Sequence, residues 1–307
     1  MTQASNDART IVGLGEVLWD VLPQGKQLGG APANFAYMTS LLGHRAIVAS
    51  RVGSDTAGGE LRKKLAELGL DTSYVQPDEM HPTGTVKVHV DADGQPSYEI
   101  TDDVSWDFLA WTREWQRLAS VADVICFGSL AQRSEMSRQT IRSFLRAPPA
   151  DAIRIFDVNL RQEFFSAEVL ADSLRLASVA KLNDVELPIV MRHLGLAYDE
   201  QKSAAERLRS AFGLKLACVT RGNQGSLLVR EGESDEHPGF AVRVMDSVGA
   251  GDAFAAALAH HLLRGSPLRV MNEAANRMGA WVASQHGATP AADEDVMKLV
   301  RAGETFR

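Results

Sequence analysis

The stretch Asp246-Ser247-Val248-Gly249-Ala250-Gly251-Asp252-Ala253-Phe254 is the most informative part of this chain. Two glycines and an alanine precede Asp252, and the apolar run that follows, 253–263, is typical of a buried helix. A backbone with small side chains that leads into a helix presents unpaired N–H groups, and the helix dipole adds positive potential. The stretch therefore predicts an anion site with a carboxylate beside it. A tight turn in which Asp252 only caps the helix is equally compatible with these residues.

The overall composition is that of a globular protein. With 307 residues, 45% of them hydrophobic, the chain is expected to fold as one domain over residues 1–307, with a small appendage. Its formal net charge of −7 argues against a broad nucleic-acid-binding surface. Cys126 and Cys218 each lie in an apolar run, which predicts buried thiols rather than a disulfide or a metal pair. The polar start and the lack of a long apolar run predict a cytoplasmic protein that does not bind membranes.

A second glycine-rich stretch, Leu28-Gly29-Gly30-Ala31-Pro32-Ala33-Asn34, predicts another turn into a helix. The two glycines allow the backbone to approach a ligand closely, and Pro32 suits a first helical turn. Asn34 would then project toward that ligand. The preceding run, 11–15, is expected to be a buried strand, but it does not open a dinucleotide fingerprint, because Leu18 stands where the third glycine is required. A nicotinamide-dependent oxidoreductase is therefore disfavoured.

Apolar strands and helical stretches alternate through most of the chain. This pattern predicts an α/β fold with a doubly wound, mainly parallel sheet that is flanked by helices, with strands at 46–52, 122–127, 153–158, 179–182 and 215–219. Two late strands, 225–229 and 241–244, are expected to add in antiparallel fashion.

A small β-sheet lid is predicted outside this main sheet. Residues 84–90 alternate apolar and polar side chains, Asp93-Gly94 suggests a turn, and 97–100 suggests a returning strand. The lid would comprise segments near 16–28 and 84–105. An exposed lid sheet also offers a surface for a homodimer.

Polar side chains follow several of the predicted parallel strands, where ligands bind in sheets of this kind. Any one group could simply cap a helix, but several together beside a glycine-rich cradle favour a binding site. The groups are Asp157, Asn159 and Arg161; Asn183 and Glu186; and Thr220, Arg221 and Gly222.

Taken in order, these motifs resemble those of the ribokinase-like (PfkB-type) carbohydrate kinases. The two glycine-rich stretches look like the two signatures of that family. The segments 157–161, 183–186 and 220–225 are similar to its intermediate motifs, so that the resemblance runs from Ile11 to about Pro290. The Gly-Gly-Ala-Pro-Ala-Asn form of the first signature is typical of fructokinases.

The resemblance implies an ATP-dependent sugar kinase that phosphorylates a hydroxymethyl group of a monosaccharide, with fructose as the best single candidate. The alternatives are a 2-keto-3-deoxygluconate kinase or a ribokinase and, in a different class, an inactive sugar-binding regulatory protein. Fructokinases usually carry an arginine in the lid strand region, whereas residues 97–107 contain none. This departure counts against fructose.

The same resemblance implies roles for individual residues. Asp252 would be the catalytic base, and the backbone of Gly249, Ala250 and Gly251 would form the anion hole. Contacts to the sugar would come from Asp20, Gly29, Gly30, Asn34 and Asn159. Positions that line the nucleotide would be Asn183, Thr220, Gly222, Gly225 and Asn276. Glu186 would help to place Mg²⁺, and Asp246 would contribute to a site for K⁺.

Two further expectations concern charge at the predicted site. Arg161 is a candidate clamp for phosphate, although an ordinary surface salt bridge would explain it as well. The positive end of the helix dipole is expected to keep Asp252 ionised, which would make it a weak base.

Overall fold

The structure, a computed structural model, describes residues 8–22, 25–90 and 96–302. Its strands within these ranges are β1 (Thr10–Leu14), β2 (Leu18–Leu22), β3 (Gly25–Gly29), β4 (Arg45–Gly53), β5 (Val75–Asp78), β6 (Thr85–Val90), β7 (Pro96–Ile100), β8 (Val124–Phe127), β9 (Ile153–Asp157), β10 (Val179–Asn183), β11 (Leu216–Thr220), β12 (Ser226–Arg230) and β13 (Glu233–His237). Its α-helices are α1 (Ala31–Leu41), α2 (Thr56–Glu67), α3 (Arg113–Val121), α4 (Glu135–Arg146), α5 (Ala167–Leu176), α6 (Glu186–His193), α7 (Gln201–Phe212), α8 (Ala250–Leu263), α9 (Leu268–Ala283) and α10 (Glu294–Ala302).

The large sheet has nine strands in the described part of the chain, in the order β13-β12-β11-β10-β9-β8-β1-β4-β5. Neighbouring strands are parallel from β11 through β5, and the β11–β12 and β12–β13 pairs are antiparallel. The predicted mainly parallel sheet is confirmed. The carboxyl ends of β1, β9, β10 and β11 consequently meet along one edge.

One predicted strand is wrong. Residues 241–244 form no strand, and the partner of β12 is β13 instead. Gly232, at φ +71°, lets the chain reverse directly after β12, so the hairpin closes earlier than expected. The sequence Glu233-Ser234-Asp235-Glu236-His237 is polar, as an edge strand can be, and therefore lacks the apolar signal on which the prediction relied. For the same reason β5, which reads Val-Gln-Pro-Asp at the other edge, was not predicted.

Helices cover both faces of the large sheet. One face packs against α1, α8, α9 and α10, with Phe35, Leu258 and Met278 in its core. The other face packs against α3 to α7, with Trp115 and Phe144 in its core. The buried run of small residues in α8 allows it to lie close to α1 and α9, which places the starts of α1 and α8 side by side.

A four-stranded sheet in the described residues forms the predicted lid, in the order β3-β2-β6-β7. Strands β2 and β6 are parallel, while the β2–β3 and β6–β7 pairs are antiparallel. The predicted turn at Asp93-Gly94 lies outside the described residues. No helix in the described ranges has the length and apolar character needed to cross a membrane. That residues 1–307 form one domain remains a prediction.

Candidate active site

The starts of α1 and α8 carry the two glycine-rich motifs and bring their polar side chains together. Asn34, only 4% exposed, donates a hydrogen bond from Nδ2 to Oδ2 of Asp252 at 2.8 Å. The two residues are 218 positions apart in the chain. The other side-chain atom of Asn34, Oδ1, is buried without a hydrogen-bond partner among the described residues. Asn34 thus orients the carboxylate of Asp252.

The loop before α8 is shaped by Gly249. This residue caps the helix with φ at +79°, a left-handed conformation that favours glycine. A methyl group on it would also lie 2.5 Å from the Cβ atom of Ala288. The helix begins at Ala250, so the N–H groups of Gly251 and Asp252 fall in its first turn, which has no acceptors within the helix. This is the geometry expected of an anion cradle.

The pKa of Asp252 differs from the sequence-based expectation. Burial, and after it the negative charge of Asp157, raises it from the usual value to about 6. The positive charge of Lys181 and the hydrogen bond from Asn34 act in the opposite direction. Desolvation therefore outweighs the partners that favour the carboxylate, and Asp252 is a stronger base than expected from the sequence.

Asp20 and the glycines of the first motif lie close together in and beside the small sheet. Asp20 lies on β2, and a methyl group on Gly29 of the paired strand β3 would collide with its Oδ2 atom. Gly30, at φ +106°, packs against the backbone of Glu16, where a side chain would not fit. Burial raises the pKa of Asp20 to about 6, although Arg161 lowers it. The space beside Gly29 and Gly30 is thus filled by Asp20 and by the Glu16 backbone, and contact of these residues with a sugar remains a prediction.

Glu16 is an acidic residue of this site that the sequence analysis did not identify. It is only 3% exposed, and its Oε2 atom is buried without a hydrogen-bond partner in the described part of the chain. Burial raises the pKa of Glu16 to about 7, Arg161 lowers it, and the charges of Asp252 and Asp157 raise it. The available signal was its position directly after β1, at the strand end where ligands collect.

The segment after β9 contributes Asn159 and Arg161. Asn159 has a left-handed backbone, with φ at +42°, and its carbonyl accepts a hydrogen bond from Ser129 Oγ at 3.4 Å. Arg161 is exposed and donates from Nη1 to the carbonyl of Leu160 at 3.1 Å. Its charge lowers the pKa values of Asp20, Glu16 and Asp252, so it lies within electrostatic reach of both ends of the site.

Asn183 and Glu186, at the end of β10, are largely occupied with the backbone. The Oδ1 atom of Asn183 accepts hydrogen bonds from the N–H groups of Val185 and Glu186, at 3.0 and 2.8 Å, and so caps α6. The carboxylate of Glu186 accepts from the N–H groups of Leu160 and Asn183, both at 2.8 Å. Glu186 therefore ties the end of β10 to the segment after β9, and each of its oxygens already has a donor.

Residues predicted to line the nucleotide fall into two groups. Thr220 lies at the end of β11 with its hydroxyl 3.5 Å from the Leu182 carbonyl, and Gly222 follows in a turn at φ +58°. Gly225, in contrast, packs against the His237 carbonyl. The amide nitrogen of Asn276 donates to Ser226 Oγ and to Asn272 inside the core. Thr220 and Gly222 therefore lie at the carboxyl end of β11, whereas Gly225 and the Asn276 amide group contact other parts of the protein.

The two predicted metal residues do not form a metal cage. Asp246 accepts hydrogen bonds from the N–H groups of Val248 at 3.0 Å and Gly287 at 3.2 Å, which holds the cradle loop against the segment at Gly287. Within the described ranges, no group of three or more His, Cys, Asp or Glu side chains is arranged to hold a metal ion. The carboxylates of Glu186 and Asp246 instead accept hydrogen bonds from backbone N–H groups.

An arginine from outside residues 97–107 contacts this segment. Arg133, after β8, donates to the Asp107 carboxylate at 2.7 Å and to the Thr101 carbonyl at 2.6 Å. Its guanidinium lies 4.0 Å from the centroid of the Trp106 ring. Arg133 therefore fastens the chain that leaves β7 to the main sheet. Arg133 lies in none of the segments that resemble the family motifs, so the sequence carries no local signal for it.

Comparison with known proteins identifies the family. The family model described as pfkB family carbohydrate kinase matches residues 10–295. This chain belongs to that family. It is therefore a carbohydrate kinase, a phosphotransferase with an alcohol group as acceptor, as the motifs predicted.

Named relatives of the kinase include sugar kinases and fructokinases. A sugar kinase of Pyrococcus horikoshii is 30% identical over 299 residues, covering 94% of this chain and 91% of that protein. Its crystal structure, described as that of an uncharacterized sugar kinase, matches with a TM-score of 0.81 at 27% identity over 95% of this chain and 97% of that one. A second structure, in complex with ATP, matches with a TM-score of 0.76 at 25% identity over 95% and 99% of the two chains.

Two fructokinases extend the comparison. The enzyme of Escherichia coli is 31% identical over 263 residues, covering 80% of this chain and 81% of that protein. The structure of a fructokinase with bound ATP from Xylella fastidiosa matches with a TM-score of 0.82 at 24% identity, over 95% of this chain and 98% of that one. The ribokinase-like fold predicted from the motifs is confirmed.

Proposed function

We propose that this carbohydrate kinase transfers the γ-phosphoryl group of ATP to a hydroxymethyl group of a monosaccharide, with fructose as the leading candidate. The observation that carries the proposal is the Asn34–Asp252 hydrogen bond beside Gly249, since it joins an oriented base to an anion cradle. The Pyrococcus relative is described in complex with ATP, and the Escherichia coli relative is named a fructokinase, which supports both the donor and the acceptor.

The transfer would proceed by displacement at the γ-phosphorus. The sugar hydroxyl oxygen forms a bond to phosphorus, the bond to the β,γ-bridging oxygen breaks, and ADP leaves with that electron pair. Asp252 accepts the hydroxyl proton, and its pKa of about 6 leaves the carboxylate mainly ionised at neutral pH while close enough to that pH for efficient proton transfer. The N–H groups at the start of α8 face the charge that develops on the phosphoryl oxygens.

Mg²⁺ would enter with ATP rather than through a preformed protein cage, because both oxygens of Glu186 already accept backbone N–H groups. Mg²⁺ neutralises charge on nucleotide phosphates and commonly keeps several water ligands. A requirement for K⁺ at Asp246 remains a prediction. Homodimerisation through the lid also remains a prediction.

One observation favours 2-keto-3-deoxygluconate as the second candidate. Arg161 is exposed, and its charge reaches Asp20 on the lid side of the site. A sugar acid would find a guanidinium partner there, whereas fructose has no charge for it to bind. The lack of an arginine at 97–107 points the same way, because it removes a residue that fructokinases usually carry.

A substrate panel tests the acceptor. Fructose, 2-keto-3-deoxygluconate, ribose and adenosine would each be offered with Mg²⁺-ATP while ADP release is followed, with and without K⁺. We expect one clear preference, with fructose first. A preference for the sugar acid would move the assignment to the second candidate. ADP release with none of the four would favour the inactive regulatory protein.

A variant tests the role of Asp252. Asp252→Asn should lower kcat by at least about 100-fold, the usual contribution of a general base, while nucleotide binding measured by calorimetry persists. The amide is nearly isosteric and can still contact Asn34. Unchanged turnover would contradict the mechanism.

A further inference from the structure

A buried ion pair lies beneath the anion cradle, and neither the motifs nor the relatives assign it a role. Lys181 is a charged residue inside the otherwise apolar strand segment Val179-Ala180-Lys181-Leu182, and it is 7% exposed. Its Nζ atom donates to both carboxylate oxygens of Asp157, at 3.0 and 2.8 Å, and Asp157 is 4% exposed. Burying two charges is costly, so such a pair needs either excellent partners or a function.

The ammonium group of Lys181 lies directly behind Gly251. A methyl group on Gly251 would come within 2.9 Å of Lys181 Nζ. Gly251 is the second residue of α8 and has no left-handed backbone, so its conformation does not require glycine. Glycine is required because there is no room for a side chain at this position. The Lys181 ammonium fills the space and is held in place by two hydrogen bonds to Asp157. Because Gly251 has no side chain, the fixed positive charge of Lys181 lies next to the cradle.

The charge at Lys181 is maintained and is felt by Asp252. Asp157, Asp252 and Glu186 all attract a proton to Lys181 and raise its pKa against the effect of burial. At Asp252 the two members of the pair act in opposite directions: Asp157 raises its pKa and has the larger effect, and Lys181 lowers it. The other groups that face Asp252 are Asn34 from α1, Arg161 from the segment after β9 and Glu16 from the segment after β1.

We propose that Lys181 is a positioning residue for phosphoryl transfer, in which a buried ammonium, fixed by Asp157 behind Gly251, strengthens the anion cradle. This inference rests on the proposed roles of the cradle and Asp252. A charge that does not touch the substrate can still stabilise developing negative charge, because electrostatic interactions are strong where water is excluded and the charge is already in place. Asp157 prevents the lysine from moving out to the substrate.

The test compares three variants. Lys181→Gln/Asp157→Asn removes both charges yet retains an amide-to-amide hydrogen bond, so no charge is left buried and unpaired. We expect its kcat to fall by about tenfold or more, because electrostatic stabilisation specific to the transition state is lost. Its KM values for sugar and ATP should stay within about threefold of wild type, because ground-state contacts are unchanged. Circular dichroism and the urea midpoint establish that it is folded.

The single variants provide a readout that a merely structural pair would not produce. Lys181→Gln should move the acid limb of the kcat profile to higher pH, because the charge of Lys181 no longer offsets that of Asp157 at Asp252. Asp157→Asn should move the same limb to lower pH. Opposite shifts follow from charge, whereas general damage to the fold would not give opposite signs.

A distant pair serves as the control. Arg142→Met/Asp172→Asn removes the ion pair between α4 and α5 and should leave kcat and the pH profile unchanged. The inference is overturned if Lys181→Gln/Asp157→Asn is folded and keeps wild-type kcat while Asp252→Asn is inactive. Full activity of Asp252→Asn would instead contradict the proposed base, so the two failures are distinguishable.

Discussion

The two ends of the α1–α8 helix pair bury titratable groups with opposite consequences. At the starts of the helices, Asn34 donates to Asp252. At their ends, Nε2 of His44 lies 2.8 Å from Nδ1 of His260. Burial raises the pKa of Asp252 to about 6 and lowers the pKa of His260 to about 3. Desolvation favours the neutral form of each group, as it does for any acid or base.

The difference between the two ends lies in their neighbours. Asp252 has Lys181, Arg161 and the Asn34 amide, which all favour the ionised carboxylate and keep its pKa close to neutral pH. His260 has cationic neighbours such as Arg264, together with His261 and His44, which add to the effect of burial. The comparison shows that burial by itself holds a titratable group in its neutral form. Partners of opposite charge make a buried group useful for proton transfer.

The largest expected effect comes from removing the Asn34–Asp252 hydrogen bond at the start of the α1–α8 helix pair. Asn34→Leu removes a hydrogen bond to a carboxylate, which is worth about 1.5–3 kcal/mol, so kcat should fall by about 10- to 100-fold. The acid limb of the kcat profile should move to higher pH, because this hydrogen bond lowers the pKa of Asp252. Steady-state kinetics across pH would measure both. A kcat near the wild-type value would show that Asp252 needs no orientation by Asn34.

The next effect concerns stability at the other end of the pair. His260 has a folded-state pKa of about 3, far below that of an exposed histidine, so as pH falls the unfolded chain takes up a proton that the folded chain does not. This group should therefore cost about 2 kcal/mol of stability between pH 7 and pH 5. Urea unfolding of His260→Phe should lack that loss, and kcat at neutral pH should be unchanged. His286→Gln, at an exposed histidine, is the matched control.

Wild type and variant must be compared at each pH, because the buried acids act in the opposite direction. Asp252, Asp20 and Glu16 have raised pKa values, so the folded chain binds their protons more tightly and gains stability as pH falls. The difference between wild type and His260→Phe cancels these contributions. Parallel stability curves for the two proteins would contradict the assigned pKa of His260.

The smallest effect concerns Glu16, the buried acid without a hydrogen-bond partner on Oε2. Its pKa of about 7 means that ionisation destabilises the fold as pH rises through neutrality. The stability of Glu16→Gln relative to wild type should therefore increase by about 1 kcal/mol between pH 6 and pH 8. Denaturant midpoints at the two pH values measure it. A difference that does not change with pH would mean that Glu16 keeps an ordinary pKa in the folded protein.

Much of the fold could be predicted from the sequence, because buried strands and helix starts leave local signals. The parallel strands were recognisable as apolar runs, and the two helix starts as glycine-rich turns. Edge strands were not recognised: β13 is polar, and its pairing depends on the turn at Gly232. An edge strand needs no apolar face, so the pattern contains little information about it.

The candidate site was predictable in part for the same reason. Asp252 and Asn34 lie in motifs with a local signature, and Asp20 was named only through the family resemblance. Glu16 and Lys181 lie in no such motif, and their importance comes from what surrounds them. Gly225 packs against the His237 carbonyl and the Asn276 amide group joins a buried hydrogen-bond network, and their contact with a nucleotide stays a prediction.

The sequence by itself determined that a small-residue turn carries Asp252 into a buried helix, since turn and helix signals are local. Only the tertiary structure decided what that carboxylate can do. Its pKa depends on Asn34, Asp157 and Lys181, which come from other elements of the chain. Desolvation and charge act through space, and a linear pattern of residues does not specify which groups share that space.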